Sequence, residues 1–181
     1  MAAKWVQAIK EIAPSVTRVG VIFNPETGPY YVSYLPFVET ASRLAKVETI
    51  STAVHDADSI TQNLEKLAEV PNTGVVVLPS ALFTASREII IKTVAELRLP
   101  TVYPYGFFVQ SGGLLSYGFD VVDMYQRAAS YVDRILQGTK VSDLPAQFPT
   151  KIELAINLKT ANALGLAVPP ALLSRADEVI E

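Results

Sequence analysis

Gly74-Val-Val-Val-Leu78 carries no polar side chain on either of its alternating faces. A strand that presents apolar groups to both sides is buried under helices on both sides, as the central strands of parallel sheets are. Upstream, Arg18-Val-Gly-Val-Ile-Phe23 is a second run of strand length, closed by the turn-forming Asn24-Pro-Glu-Thr-Gly-Pro29. Tyr31, Leu35, Val38, Ser42 and Ala45 then recur at helical spacing, and Pro29 suits a first helical turn. Val47 to Val54 reads as the next strand. Ile60, Leu64 and Leu67 give the following helix its buried stripe, and the spacing of Ser59 and Gln62 predicts a capping box.

Downstream, Ile90, Val94 and Leu97 mark a further helix and Thr101 to Tyr105 a fourth strand. Strand and helix alternating at this distance, with no hairpin signals, imply right-handed βαβ crossovers and an open parallel sheet with helices on both faces. The predicted fold class is therefore α/β and flavodoxin-like. Gly106 to Gly113 reads as a loop and Leu114 to Tyr117 as a short strand. Asp120 caps a long helix, with Val122, Tyr125, Ala129, Val132 and Leu136 at alternating spacings of three and four. Met124, Ala128, Tyr131 and Ile135 widen its apolar face. Lys140 to Thr150 is linker-like, Glu153 to Asn157 is a last strand, and Pro169-Pro170 opens a terminal helix.

Composition narrows the function. Of 181 residues half are hydrophobic, the net charge is -3, and the basic residues form no stripe of the kind a nucleic-acid partner requires. With no cysteine, thiolate metal sites and cysteine nucleophiles are excluded. The Met1-Ala-Ala-Lys-Trp5 start lacks the apolar stretch and cleavage site of a secretory signal.

In an open parallel sheet, ligands collect beyond the carboxyl ends of the strands. There, Asn24, Thr27, Ser80 and Thr84 offer amide and hydroxyl groups near helix starts, and Tyr30, Phe83, Tyr105 and Phe107 offer apolar walls. These eight are the expected ligand-binding residues. Singly, Asn24 and Ser80 are more readily explained as turn and cap residues, and any one of the aromatics is as readily explained as core. Their coincidence at the strand ends favours recognition.

An enzyme reading finds little support. His55, the single histidine, has Asp56 beside it, but neighbours on a strand point to opposite faces, and a metal would want further nitrogen or sulfur ligands. Neither a nucleophile elbow nor a phosphate-cradling glycine loop occurs. No catalytic residue, metal site or cofactor is expected.

Glu11-Ile-Ala-Pro-Ser-Val-Thr-Arg-Val-Gly-Val-Ile-Phe-Asn-Pro25 resembles the middle of ABC-transporter substrate-binding proteins of the type I periplasmic-binding fold. So do Leu99 to Pro104, Ser111 to Gly118, Arg127 to Leu136, Leu144 through Ala161, and the closing Arg175 to Glu181. The resemblance implies a solute-binding component that holds an amino acid or similar molecule between two lobes, without catalysis, and passes it to an ABC permease. It places the protein in the periplasm or outside the cell. A ligand-sensing regulatory domain, or a small α/β enzyme of unknown reaction, is the alternative.

On the family pattern, most of the first lobe is missing. Residues 14–118 and 139–181 then form the ligand-binding lobe, while the helices within 1–13 and 119–138 belong to the absent one. Apolar faces without their usual partner imply self-association, as a homo-oligomer or helix-swapped dimer, covering Trp5, Ile9, Val122, Tyr125, Ala129 and Val132.

Overall fold

The β3 strand, Thr73–Val77, is buried at every position. Val76 faces one helical layer, while Val75 and Val77 face the other. A computed structural model, describing residues 1–181, places this strand inside a seven-stranded sheet of order β2-β1-β3-β4-β5-β6-β7. The other strands are β1 (Arg18–Phe23), β2 (Glu48–Ala53), β4 (Thr101–Tyr103), β5 (Leu115–Phe119), β6 (Ile152–Asn157) and β7 (Glu178–Ile180). The first five run parallel, with β1 between β2 and β3 so that Arg18 pairs with both Glu48 and Thr73. This is the α/β architecture that the alternation of runs implies.

Two helical layers bury the sheet. On one face, α1 (Ala2–Ile12) and α2 (Tyr31–Leu44) set Trp5, Ile9, Ile12 and Val38 against Val19, Val21, Val76 and Val102. On the other, α3 (Asp58–Ala68) and α5 (Arg87–Glu96) set Ile60, Leu64, Leu67, Ile90 and Val94 against Ile22, Val75, Val77 and Tyr103. The bare Gly74 lets α1 press close, since a Cβ there would stand 2.4 Å from Ile9 Cδ1.

This packing corrects one expectation. Trp5 and Ile9 are fully buried, and Trp5 Nε1 donates to the Tyr117 carbonyl at 2.6 Å. The apolar face of α1 finds its partner on this sheet and needs no other lobe or copy.

The last strands depart from a wholly parallel sheet. β6 pairs antiparallel with β5, Phe119 opposite Ile152, and β7 runs parallel to β6. The two strands are no hairpin, because α7 (Val121–Leu136) and an extended strap lie between them. Asp120 accepts from the Asp123 amide at 3.0 Å and caps α7 as its position predicts. The chain leaves at Asp120 and returns at Lys151, and these two are clamped: the Asp120 amide donates to the Lys151 carbonyl at 3.1 Å, and Lys151 Nζ donates to Asp120 Oδ2 at 2.6 Å. α7 contributes no buried residue to the fold. Its Val122, Tyr125 and Val132 are exposed, along with Ala129.

Local expectations are refined too. Residues 106–113 are not simply loop, since Gly106–Gln110 forms the short helix α6 with Phe108 and Val109 buried. Ser59 does not cap α3: the helix starts at Asp58, two residues before a Ser59 cap would start it, and Asp56 Oδ1 accepts from the Ser59 amide at 2.8 Å. α4 (Ala81–Ala85), α8 (Leu158–Leu164) and α9 (Pro170–Leu173) complete the chain.

Candidate ligand cleft

The carboxyl ends of β1, β2 and β3 are stitched together by their own polar residues. Asn24 is 1 % exposed, and its amide is fully used. Nδ2 donates to the carbonyls of Val54 at 2.8 Å and His55 at 3.3 Å, while Oδ1 accepts from both the amide and the hydroxyl of Thr27. Thr27 Oγ1 in turn accepts from the Leu82 amide at 3.2 Å, across to α4. Ser80 is buried and caps α4, accepting from the Phe83 amide at 3.1 Å, and Thr84 donates back to the Ser80 carbonyl at 3.0 Å. Gly28 permits the close approach of these loops, because a Cβ there would meet the Pro79 carbonyl at 2.6 Å.

Asn24 and Ser80 are thus scaffold residues whose polar atoms have in-chain partners, which corrects the expectation that they face a ligand. Phe83 is likewise corrected: it is 1 % exposed and packs in the core beneath α4. Its helical neighbours point it inward, a distinction that strand-end position alone does not make. Thr27 and Tyr30 stay exposed on the rim.

Tyr105, Phe107 and Thr84 meet in a cleft of about 500 Å³ at the strand ends. Its opposite wall is Phe119 and the first two turns of α7, through Val121, Met124, Tyr125 and Ala128. That volume lies within the range of small-molecule sites. Tyr105 and Phe107 stack with ring centroids 5.3 Å apart, Phe107 stacks on Phe108 at 5.0 Å, and Phe108 on Tyr103 at 4.9 Å. This ladder of rings runs from cleft to core and fixes the wall's orientation, so little order is lost when a ligand settles on it.

No charged side chain lines the cleft. Burial, then the nearby Tyr30 and Tyr34, pushes the Tyr105 hydroxyl up to about 12, so at neutral pH it is a protonated phenol able to donate or accept a hydrogen bond. Glu26 and His55 pair on the outer rim at 2.7 Å, and that contact first of all holds the Glu26 carboxyl below its usual range. A second crevice of about 260 Å³ lies between α1 and β6, beside Arg175 and Asp177. Its Lys4, Gln7, Glu11 and Arg175 bond to one another in a chain, which leaves them little polar capacity for a ligand.

The α7 wall was the part that strand-end reasoning missed. The signal for it was present in the unusual width of the helix's apolar face, whose Met124 and Ala128 face the cleft.

Fold and cleft together define a class: an α/β sheet with an aromatic cleft at the carboxyl edge of its parallel strands. The sequence matches the ABC transporter substrate binding protein family over residues 1–180, and the chain belongs to that family. Proteins of curated function give no match. Among solved structures, a conserved domain protein from Vibrio cholerae O1 biovar El Tor is 25 % identical with a TM-score of 0.87, over 98 % of this chain and 60 % of that one. An ABC domain from Streptococcus pneumoniae, in complex with L-Trp, is 20 % identical with a TM-score of 0.88, over 99 % of this chain and 60 % of its own. The ligand-free, open substrate-binding protein CD0873 from Clostridium difficile is 21 % identical with a TM-score of 0.70, over 98 % and 59 %. The chain therefore spans about three fifths of the length of these relatives.

Proposed function

We propose that this lobe binds a small organic solute in the cleft between Tyr105, Phe107 and α7, as part of the solute-binding component of an ABC transporter. The observation that carries the reading is the aromatic cleft of about 500 Å³ at the carboxyl edge of the parallel strands, with uncharged walls. Such a surface suits the apolar portion of an amino acid or similar molecule, and the L-Trp held by the Streptococcus pneumoniae relative supports that class. Thr84 and the Tyr105 hydroxyl supply the polar contacts available within the cleft. The proposed role is binding without catalysis, as is typical of the substrate-binding family to which the chain belongs. The partners are the solute and a membrane permease, and the place of action is the periplasm or cell exterior. No helix of this chain is long and apolar enough to cross a membrane.

Isothermal titration against a panel of amino acids and small organic acids tests the reading. A heat of binding for at least one apolar amino acid is expected, lost when Tyr105→Ala and Phe107→Ala are combined. Binding untouched by that double substitution, or chemical turnover of any panel compound, sinks it.

A further inference from the structure

Tyr103, the last residue of β4, is 0 % exposed, and its hydroxyl has no hydrogen-bond partner within the chain. Buried polar groups are almost always hydrogen-bonded, to protein or to ordered water. Ser42 Oγ shares the condition, but a serine within a helix can turn back to the carbonyl one turn earlier, and a tyrosine at a strand end has no such recourse. The Tyr103 ring is held in place. It stacks on Phe108 with centroids 4.9 Å apart, and bare Gly113 lies against its edge, where a Cβ would stand 2.6 Å from Cε2. Burial raises the hydroxyl well above the usual phenol range, so at neutral pH it keeps its proton and is a donor without an acceptor.

Beside it lies a cavity of about 10 Å³, lined by Thr101, Tyr103, Gly112, Gly113 and Thr160 among apolar side chains of α5. That is roughly the room one water molecule needs, and far below the roughly 300 Å³ at which small-molecule sites begin. The two threonines have already spent their protons: Thr101 Oγ1 donates to the Leu99 carbonyl at 2.9 Å, and Thr160 Oγ1 donates to the Gly112 carbonyl at 2.8 Å. Each hydroxyl oxygen is therefore left as an acceptor. The cavity thus offers one proton and two acceptor oxygens.

The structure assigns this cavity to a single buried water molecule, which accepts from the Tyr103 hydroxyl and donates to Thr101 Oγ1 and Thr160 Oγ1. The chemistry selects water over other small occupants. Water has two protons to give and lone pairs to receive the third, and about three hydrogen bonds are usual for a buried water. An anion would face two acceptor oxygens, and an ammonium group would face the phenol proton. The bridge ties β4 to α8, the helix that follows the antiparallel β6. It also anchors the buried end of the ring ladder that runs through Phe108 and Phe107 to Tyr105. The assignment stands whatever solute the cleft receives.

A high-resolution crystal structure of the chain is expected to show one ordered water about 2.8 Å from Tyr103 Oη and from both threonine oxygens. A dry cavity overturns the inference. Energetics supply a second reading. Tyr103→Phe keeps the ring and removes the hydroxyl, and it is expected to lower the folding equilibrium constant about three- to tenfold in denaturant unfolding. In a Thr160→Val background the same change is expected to cost less than about twofold, because either substitution disables the same bridge. No direct hydrogen bond joins Tyr103 to Thr160, so such coupling passes through the water. A Tyr103→Phe chain as stable as the parent or more so, or an equal loss in both backgrounds, means that no water joins these groups and overturns the assignment.

Discussion

Asn24 shows why a polar residue at a strand end need not touch a ligand. One buried side chain closes four hydrogen bonds and ties its own loop to the one after β2. Asn24→Ala leaves the buried Val54 carbonyl and the part-buried Thr27 amide without these partners, at about 1–3 kcal/mol for each group left unsatisfied. Denaturant unfolding is expected to show a loss of about 2–4 kcal/mol, with loop disorder the route by which any binding is weakened. Tyr105 behaves differently, because its environment acts on its ionisation. Its hydroxyl is pushed up to about 12, so the folded state resists ionisation that the unfolded chain undergoes near the ordinary value of 10. Stability is therefore unaffected at neutral pH and falls as pH rises from about 10 toward 12. Tyr105→Phe is expected to flatten that part of a melting temperature–pH profile; a profile that keeps its slope assigns the effect to other groups.

Elements were legible in the sequence where one periodicity dominated. β1 falls at the residues its apolar run marks, and the long helix after Asp120 begins and ends where its cap and Gly138 place it. The direction of β6 was not legible, because a short apolar run such as Leu154 to Ile156 reads the same whether its neighbour runs parallel or antiparallel. α1 was misjudged for a related reason: an amphipathic helix displays the stripe it buries without naming what buries it. Of the cleft, the aromatic wall was read from position, while the α7 wall depended on a turn of chain that brings residues after Phe119 back over the strand ends. Gly118, in β5, offers a sharp test of how tightly those elements meet. A Cβ at that position would lie 1.7 Å from the Pro104 carbonyl oxygen, backbone that supports the Tyr105 wall. Gly118→Ala forces β5 and the β4–α6 turn apart, and a loss of about 3 kcal/mol or more is expected in denaturant unfolding. Unchanged stability means the two elements yield easily and the wall is less fixed than its ring ladder implies.

At the scale of the molecule, for residues 1–181 taken by themselves, the openness of the cleft sets the affinity. Small-molecule sites ordinarily enclose roughly 70–90 % of the ligand surface, whereas here one lobe presents aromatic faces on one side and α7 on another, with a flank open to water. An amino acid resting against Tyr105 and Phe107 keeps its charged groups hydrated, which spares their desolvation, yet it forgoes the enclosure that makes transport proteins tight binders. A dissociation constant of about 1 mM is the reasonable scale for so partial a contact. At 10 mM ligand, mass action then stabilises the fold by about 1.4 kcal/mol, which for a chain of this size raises the melting temperature by roughly 3–6 °C. The shift is expected to vanish in the Tyr105→Ala, Phe107→Ala double variant. A shift above about 15 °C, far beyond what a millimolar complex supplies, would instead mean that the cleft encloses far more of the ligand than Tyr105, Phe107 and α7 cover between them.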